Sequence, residues 1–281
     1  METWKRTVYI SLICVFCTAF GVSQLAPILP LYFHDLGVQT PEAMSLWSGL
    51  ATGATYIIVC LAAPFWGRVA DKKGRKITLI RSSFGMALCN VLIAFQTTPE
   101  GVVLIRLIQG LVSGFYSASI TLIASETPIE RTGWALGLLA SANLAGSLIG
   151  PLLGGYIADT VGIRNDFIIV GALMGLAGVL ATIFIHENYV PQPNPEKLSI
   201  RKLKEQIPEF NSIVALCVAS FIYAICIMSL QPVISVYIKG IVPSDTENLA
   251  FIAGAVFSAM GIAQLMSSSP LGKLVDKIGP R

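Results

Sequence analysis

The stretch Gly67-Arg68-Val69-Ala70-Asp71-Lys72-Lys73-Gly74-Arg75-Lys76 lies between two long apolar runs. A related stretch, Gly272-Lys273-Leu274-Val275-Asp276-Lys277-Ile278-Gly279-Pro280-Arg281, follows another apolar run. Each has a glycine, an acid four residues on, a base beside the acid, then a second glycine and a further base. A charged turn that recurs between apolar runs implies two related membrane halves. The second half stops at its own copy of the turn, so the chain is expected to be C-terminally incomplete.

The rest of the sequence has the composition this reading needs. Of 281 residues, 54% are apolar and 12% charged, and the mean hydropathy is +0.72. That is far from the balance of a soluble domain. The apolar residues fall in runs of about 20, long enough to cross a bilayer as helices. Eight such runs are expected, at 7–33, 44–66, 77–97, 101–124, 133–157, 166–185, 212–237 and 249–270. Lipid offers backbone polar groups no partner, so each run must be a helix. The fold class is therefore all-α and membrane-embedded.

Charge distribution sets the expected orientation. With the N-terminus in the cytoplasm, the inner segments hold Lys5, Arg6, Arg68, Lys72, Lys73, Arg75, Lys76, Arg81, Arg131, Lys197, Arg201, Lys202, Lys204, Lys273, Lys277 and Arg281. The outer loops keep only Arg164 and Lys239, and Arg106 lies within a span. This bias follows the positive-inside rule, so the bases signal topology rather than nucleic-acid binding. Lys5-Arg6 before an apolar run has the look of a signal peptide, but the run is too long and seven more follow, so a retained helix is expected. All six cysteines (Cys14, Cys17, Cys60, Cys89, Cys217, Cys226) fall inside spans, where neither a disulfide framework nor a metal site fits.

Most connections are short. The exception runs from His186 to about Asn211, where Pro191, Pro193 and Pro195 precede a basic amphipathic stretch expected at the inner membrane surface. It divides the chain into a six-helix bundle over residues 1–185, a cytoplasmic linker over 186–211, and the first two helices of a second bundle over 212–281.

Several motifs together resemble the major facilitator superfamily, and within it the twelve-helix proton-coupled drug antiporters. Gly67–Lys76 matches the loop motif between helices 2 and 3, and Gly272–Arg281 its echo between helices 8 and 9. Arg106-Leu-Ile-Gln109-Gly110 matches Arg-x-x-Gln-Gly of helix 4. Gly146-Ser-Leu-Ile-Gly150-Pro151-Leu-Leu-Gly154-Gly155 matches the antiporter motif of helix 5 at every fixed position. Gln24-Leu-Ala-Pro27-Ile-Leu-Pro30 resembles the proline-bearing end of helix 1, and Glu126…Arg131-Thr-Gly133 the loop between helices 4 and 5. The resemblance implies a major-facilitator-type bundle with eight of twelve transmembrane helices present. It also implies a multi-pass cell-membrane location and export of lipophilic drugs in exchange for protons. The alternatives are a nutrient or organic-ion uptake carrier of the same fold, or a non-transporting truncated fragment.

The candidate site residues follow. Gly67, Asp71, Gly74, Arg75, Lys76, Glu126, Arg131, Gly272 and Asp276 are expected to form a cytoplasmic gate, with Asp71 able to pair with a base or face a helix N-terminus. Gly146, Gly150 and Gly154 share one helix face, bent by Pro151 and expected to pack flat against Gly254, Ser258 and Gly261 of helix 8, with Gly155 completing the motif. Arg106 reads as the one charge well inside a span. It begins a stripe with Gln109, Ser113 and Ser117, with Gln24 and Asn143 as neighbours. By the resemblance, Arg106 couples protonation to helix movement. None of the 16 acids reads as deep within a span, and Asp35 is the nearest candidate proton carrier. Gln24, Tyr32, Tyr116, Asn143, Met228 and Gln231 are the pool for a substrate cavity. No nucleotide-binding loop, catalytic triad or metal cluster appears, so neither an enzyme nor an ATP-driven pump is expected, and no cofactor or metal. The expected partners are a small drug-like molecule, protons and the bilayer.

Overall fold

A computed structural model of the chain describes residues 2–187, 189, 210–242 and 248–278. These residues are helical throughout, with no strand among them. The order is α1 (Thr3–Ser23), α2 (Leu25–Asp35), α3 (Pro41–Lys73), α4 (Arg75–Ala94), α5 (Pro99–Val112), α6 (Phe115–Glu126), α7 (Ile129–Val161), α8 (Ile163–Phe184), α9 (Phe210–Ile241) and α10 (Leu249–Ile278). Seven stretches are long and apolar enough to cross a bilayer, and the apolar part of α10, Leu249–Ala263, is shorter. The expected surface helix of the linker lies outside the described residues.

Helix boundaries follow local chemistry. Thr40 and Thr98 accept from the Ala43 and Gly101 amides, and Pro41 and Pro99 fill first-turn positions whose amides need no partner. Two spans expected to be continuous are interrupted. The first breaks at Gln24, because Pro27 and Pro30 have no N–H to offer the carbonyls of Ser23 and Ala26. The fourth breaks at Ser113-Gly114, where Gly114 has φ of +115°, a left-handed conformation that a side chain resists.

The long helices pair α1 with α7, α3 with α5, and α4 with α8. If spans one to three are superposed on spans four to six, the first pair maps onto the second and the third onto itself. Two inverted three-helix repeats produce this pattern. Large apolar side chains such as Leu61, Phe65 and Leu88 face outward, as lipid contact requires. In the second half, α10 packs on α7, and α9 lies against α2 and α3.

The glycine-rich face of α7 differs from expectation in its partner. A Cβ on Gly146 would stand 2.5 Å from the Phe16 carbonyl oxygen, and one on Gly150 2.5 Å from that of Phe20. Gly154 faces the Gln24 side chain. The stripe therefore admits α1. The adjacent face, with Leu148, Pro151 and Gly155, takes α10: Gly254 lies against the Pro151 carbonyl, Gly155 against that of Ala250, and Ser258 Oγ donates to Leu148 O at 2.6 Å. The four-residue period is legible, but Gly146, Gly150, Pro151, Gly154 and Gly155 spread over two adjacent faces of α7, and periodicity alone does not say which helix takes which.

This packing predicts an asymmetric response to added volume. Gly150→Leu should lower the thermal unfolding midpoint of the purified protein, on the scale of about 1–3 kcal/mol for an overpacked core. Gly137→Leu, on the same helix in open space, should change it little. Equal midpoints for the two variants would mean α1 and α7 do not touch at this face.

Candidate functional site

The charged turn joins α3 to α4 through Gly74, whose φ of +91° turns the chain sharply. The first amides of α4 have no partner within their own helix. Glu187, just beyond α8, supplies one: its carboxylate accepts from Arg75 N at 2.7 Å and Lys76 N at 2.8 Å. Lys76 Nζ donates to Thr182 O at 2.9 Å, and the Tyr189 hydroxyl donates to Asp71 O. Among the described residues no ion pair joins Asp71 to Arg75. The turn is thus held by the end of α8 rather than by an internal salt bridge. Glu126 ends α6 and Arg131 lies in the first turn of α7. Gly272 and Asp276 lie in α10, and their side chains are outside the described residues.

A cavity of about 280 Å³ opens beside this turn, lined among others by Trp66, Asp71, Arg75, Arg81, Ser113 and Ser117. Its wall is the break in the fourth span. Arg81, expected at the inner surface, lies inside α4 and donates to Leu111 O at 3.0 Å and Ser113 O at 2.9 Å. Its guanidinium stacks 3.5 Å from the Trp66 ring centroid, and Trp66 Nε1 donates to Leu111 O at 2.8 Å. These two side chains serve carbonyls freed where α5 ends. Arg106 is therefore not the only charge within a span.

Arg106 is buried at 6% exposure, as its polar company suggested, and does not reach a surface. Its Nη1 donates to Gln109 Oε1 at 2.6 Å, its Nε has no partner, and its backbone carbonyl accepts from Thr55 Oγ1. The expected stripe is cut by the helix break: Ser113 and Ser117 belong to the cavity wall, while Arg106 and Gln109 lie within the bundle. Gln24 is not bonded to Arg106.

Gln24 instead donates from Nε2 to Asp166 Oδ2 at 3.0 Å, and both side chains are fully buried. Asp166 escaped the sequence reading because its neighbours Gly162, Arg164 and Asn165 look like a loop. The helix starts at Ile163, so Asp166 lies within its first turn. The one available signal was Gln24 itself, an amide in an apolar run that needs a partner. Asp35, by contrast, is exposed beside His34, a solvated helix-end acid. Tyr32 is buried and donates to Ile93 O at 2.7 Å and Gln96 O at 3.2 Å, so it pins α2 to α4 rather than lining a cavity. Tyr116 is exposed, Asn143 and Met228 are half-buried, and the Gln231 side chain is outside the described residues.

Asp159, near the end of α7, ties that helix to α10. Its two carboxylate oxygens accept from Ala250 N at 3.1 Å and Phe251 N at 2.7 Å, the first amides of α10. A carboxylate at a helix N-terminus meets both free donors and the positive end of the dipole. Among the described residues no group of His, Cys, Asp and Glu could hold a metal.

Comparison with known proteins matches residues 11–281 to the family model described as Major Facilitator Superfamily. The multidrug resistance protein MdtG of Proteus mirabilis (strain HI4320) is 37% identical over 279 residues, 99% of this chain and 69% of that protein. MdtG of Dickeya zeae (strain Ech586) is 38% identical over 277 residues, covering 99% and 68%. Among solved structures, a D-xylose-proton symporter superposes with a TM-score of 0.67 at 15% identity, over 99% of this chain and 70% of that one. The human organic anion transporter MFSD10 (TETRAN) gives 0.65 at 16% identity, over 93% and 72%.

The clamp on the charged turn gives a local prediction. Glu187→Ala should speed amide hydrogen exchange at Arg75 and Lys76, because a charge-assisted hydrogen bond contributes about 1.5–3 kcal/mol. Exchange elsewhere in α4 should hold. Unchanged exchange at the two amides would remove Glu187 from the turn.

Proposed function

Because the chain belongs to the major facilitator superfamily, we propose that it serves the export of lipophilic, often cationic, drugs from the cytoplasm in exchange for protons. The observation that carries this reading is identity of 37% across 99% of the chain to proteins named for multidrug resistance. The α7 motif supports it, since Gly155 and Pro151 let α10 of the second half approach the backbone closely. Residues 1–185 would act as one rocking bundle and α9 and α10 as part of the other, with the N-terminus and the charged turn on the cytoplasmic side.

Within this reading each constellation has a role. The Gly67–Lys76 turn, with Glu126 and Arg131, would stabilise one conformation at the cytoplasmic side and release in the other. Arg106 and Gln109 form a buried polar pair in the first bundle, where a shift in α5 changes the surroundings of a charge. Tyr116, Asn143, Met228 and Gln231 would contribute to substrate contact, since mixed aromatic, amide and thioether surfaces adapt to several shapes.

Proton-gradient collapse in everted vesicles carrying the protein tests the reading. Tetraphenylphosphonium should collapse the gradient. Arg106→Ala should reduce the response roughly tenfold or more, the scale of losing a buried charged hydrogen bond, with Arg106→Lys partly restoring it. Sugars or organic acids moving protons while drugs do not would replace drug export with nutrient uptake.

A further inference from the structure

The Gln24–Asp166 contact is a buried carboxyl held by a single neutral donor. Asp166 has no solvent exposure and accepts only the 3.0 Å bond from Gln24 Nε2. Its Oδ1 has no partner, nor has Gln24 Oε1, although both atoms are buried. Among the described residues no cation pairs with it. The polar and charged groups on the surrounding elements are engaged elsewhere. On α7, Asp159 accepts from the first amides of α10. On α8 itself, Arg164 donates to Gln96 O from an exposed position. On α2, the Tyr32 hydroxyl is spent on Ile93 and Gln96 carbonyls. On α4, Asn90 Nδ2 is bonded to Met86 O and Met174 Sδ. Arg106, on α5, is bonded to Gln109.

We propose that Asp166, positioned by Gln24, is a site that binds and releases the proton exchanged for substrate, a role that rests on the antiport reading above. The chemistry requires no partner beyond water. A proton from hydronium bonds to Asp166 Oδ1, the orphaned oxygen, while Oδ2 keeps its bond from Gln24, and release returns the proton to water. A buried carboxylate left with one neutral donor is costly. Loss of the proton therefore favours any arrangement that brings water or a cation to Asp166, which in this packing means parting α8 from α1.

The position makes that parting consequential. Gln24 sits where α1 gives way to α2, and its side chain fills the space beside Gly154. One turn further along α7, Asp159 holds the N-terminus of α10. Movement of Gln24 is thus felt on the helix that joins the two halves.

Infrared spectroscopy of the full chain in lipid bilayers tests the site without reference to transport. A protonated-carboxyl C=O band that changes with pH is expected in the wild type, absent in Asp166→Asn and shifted in frequency in Gln24→Leu. The asparagine can still accept from Gln24, which preserves the packing. An Asp166→Asn spectrum that superimposes on wild type at every pH would overturn the proposal. In everted vesicles, drug-driven proton flow that persists at wild-type level in Asp166→Asn would also overturn it while leaving antiport intact. The titrating band present in wild type and lost in Asp166→Asn, without any drug-driven flow in wild-type vesicles, would keep the protonation site and reject antiport.

Discussion

The first amides and last carbonyls of a helix have no partner within it, and three side chains in this chain are placed to supply one. Glu187 serves the first amides of α4, Arg81 the last carbonyls of α5, and Asp159 the first amides of α10. In each case a charged group sits at a helix end where the dipole favours its sign: carboxylates at N-termini and a guanidinium at a C-terminus. Helix breaks within a membrane are tolerated only where such groups re-satisfy the backbone. The break at Ser113-Gly114 is therefore inseparable from Arg81 and Trp66. Replacing Arg81 would leave the Ser113 carbonyl without that donor, while Leu111 O would keep its bond from Trp66.

The second constraint is steric. The stripe of Gly146, Gly150 and Gly154 lets α1 approach α7 without intervening side chains, and Gly154 leaves room for the Gln24 side chain that bonds Asp166 of α8 at 3.0 Å. Lipid-facing helices gain little from burying apolar surface against each other, so close backbone approach and buried polar bonds carry more of the association. The stripe sets the distance between α1 and α7, and at its end Gly154 gives the Gln24 side chain its space.

The architecture was legible because its signals are strong and local. Runs of about 20 apolar residues can be little else than spans. The α7 motif announced close packing but not its partner. What stayed hidden depended on contacts between residues far apart in the chain. Glu187 reads as the start of a polar linker until α4 is seen to begin beside it. Asp166 reads as the outermost residue of its span until α8 is seen to start three residues earlier. Gly114 reads as one more small residue in an apolar run, since a left-handed φ leaves no trace in composition. The surroundings of Tyr32 and Asp35 are equally invisible in sequence: the hydroxyl of one is bonded to two carbonyls and the other is solvated.

The bonds at the two ends of the bundle differ in what they join. At the charged turn, Glu187, Lys76 and Tyr189 tie α3 and α4 to the end of α8, all within the first six spans. Arg6 likewise meets His186 at 2.9 Å inside the same set. At the opposite end Asp159 reaches across to α10, and Gly155 and Gly254 bring the two backbones together. Contacts within a bundle stiffen it as a body. Contacts between bundles decide which face of the molecule is closed. In this conformation α10 is bonded to α7 by Asp159 at the end away from the charged turn and by Ser258 with Leu148 nearer mid-helix. A rocking motion that opened that end would have to surrender the Asp159 bonds and expose two helix-terminal amides. The stability of the closed end therefore rests on a carboxylate that water can replace, and a clasp of that kind can open without disturbing the bundle core on either side.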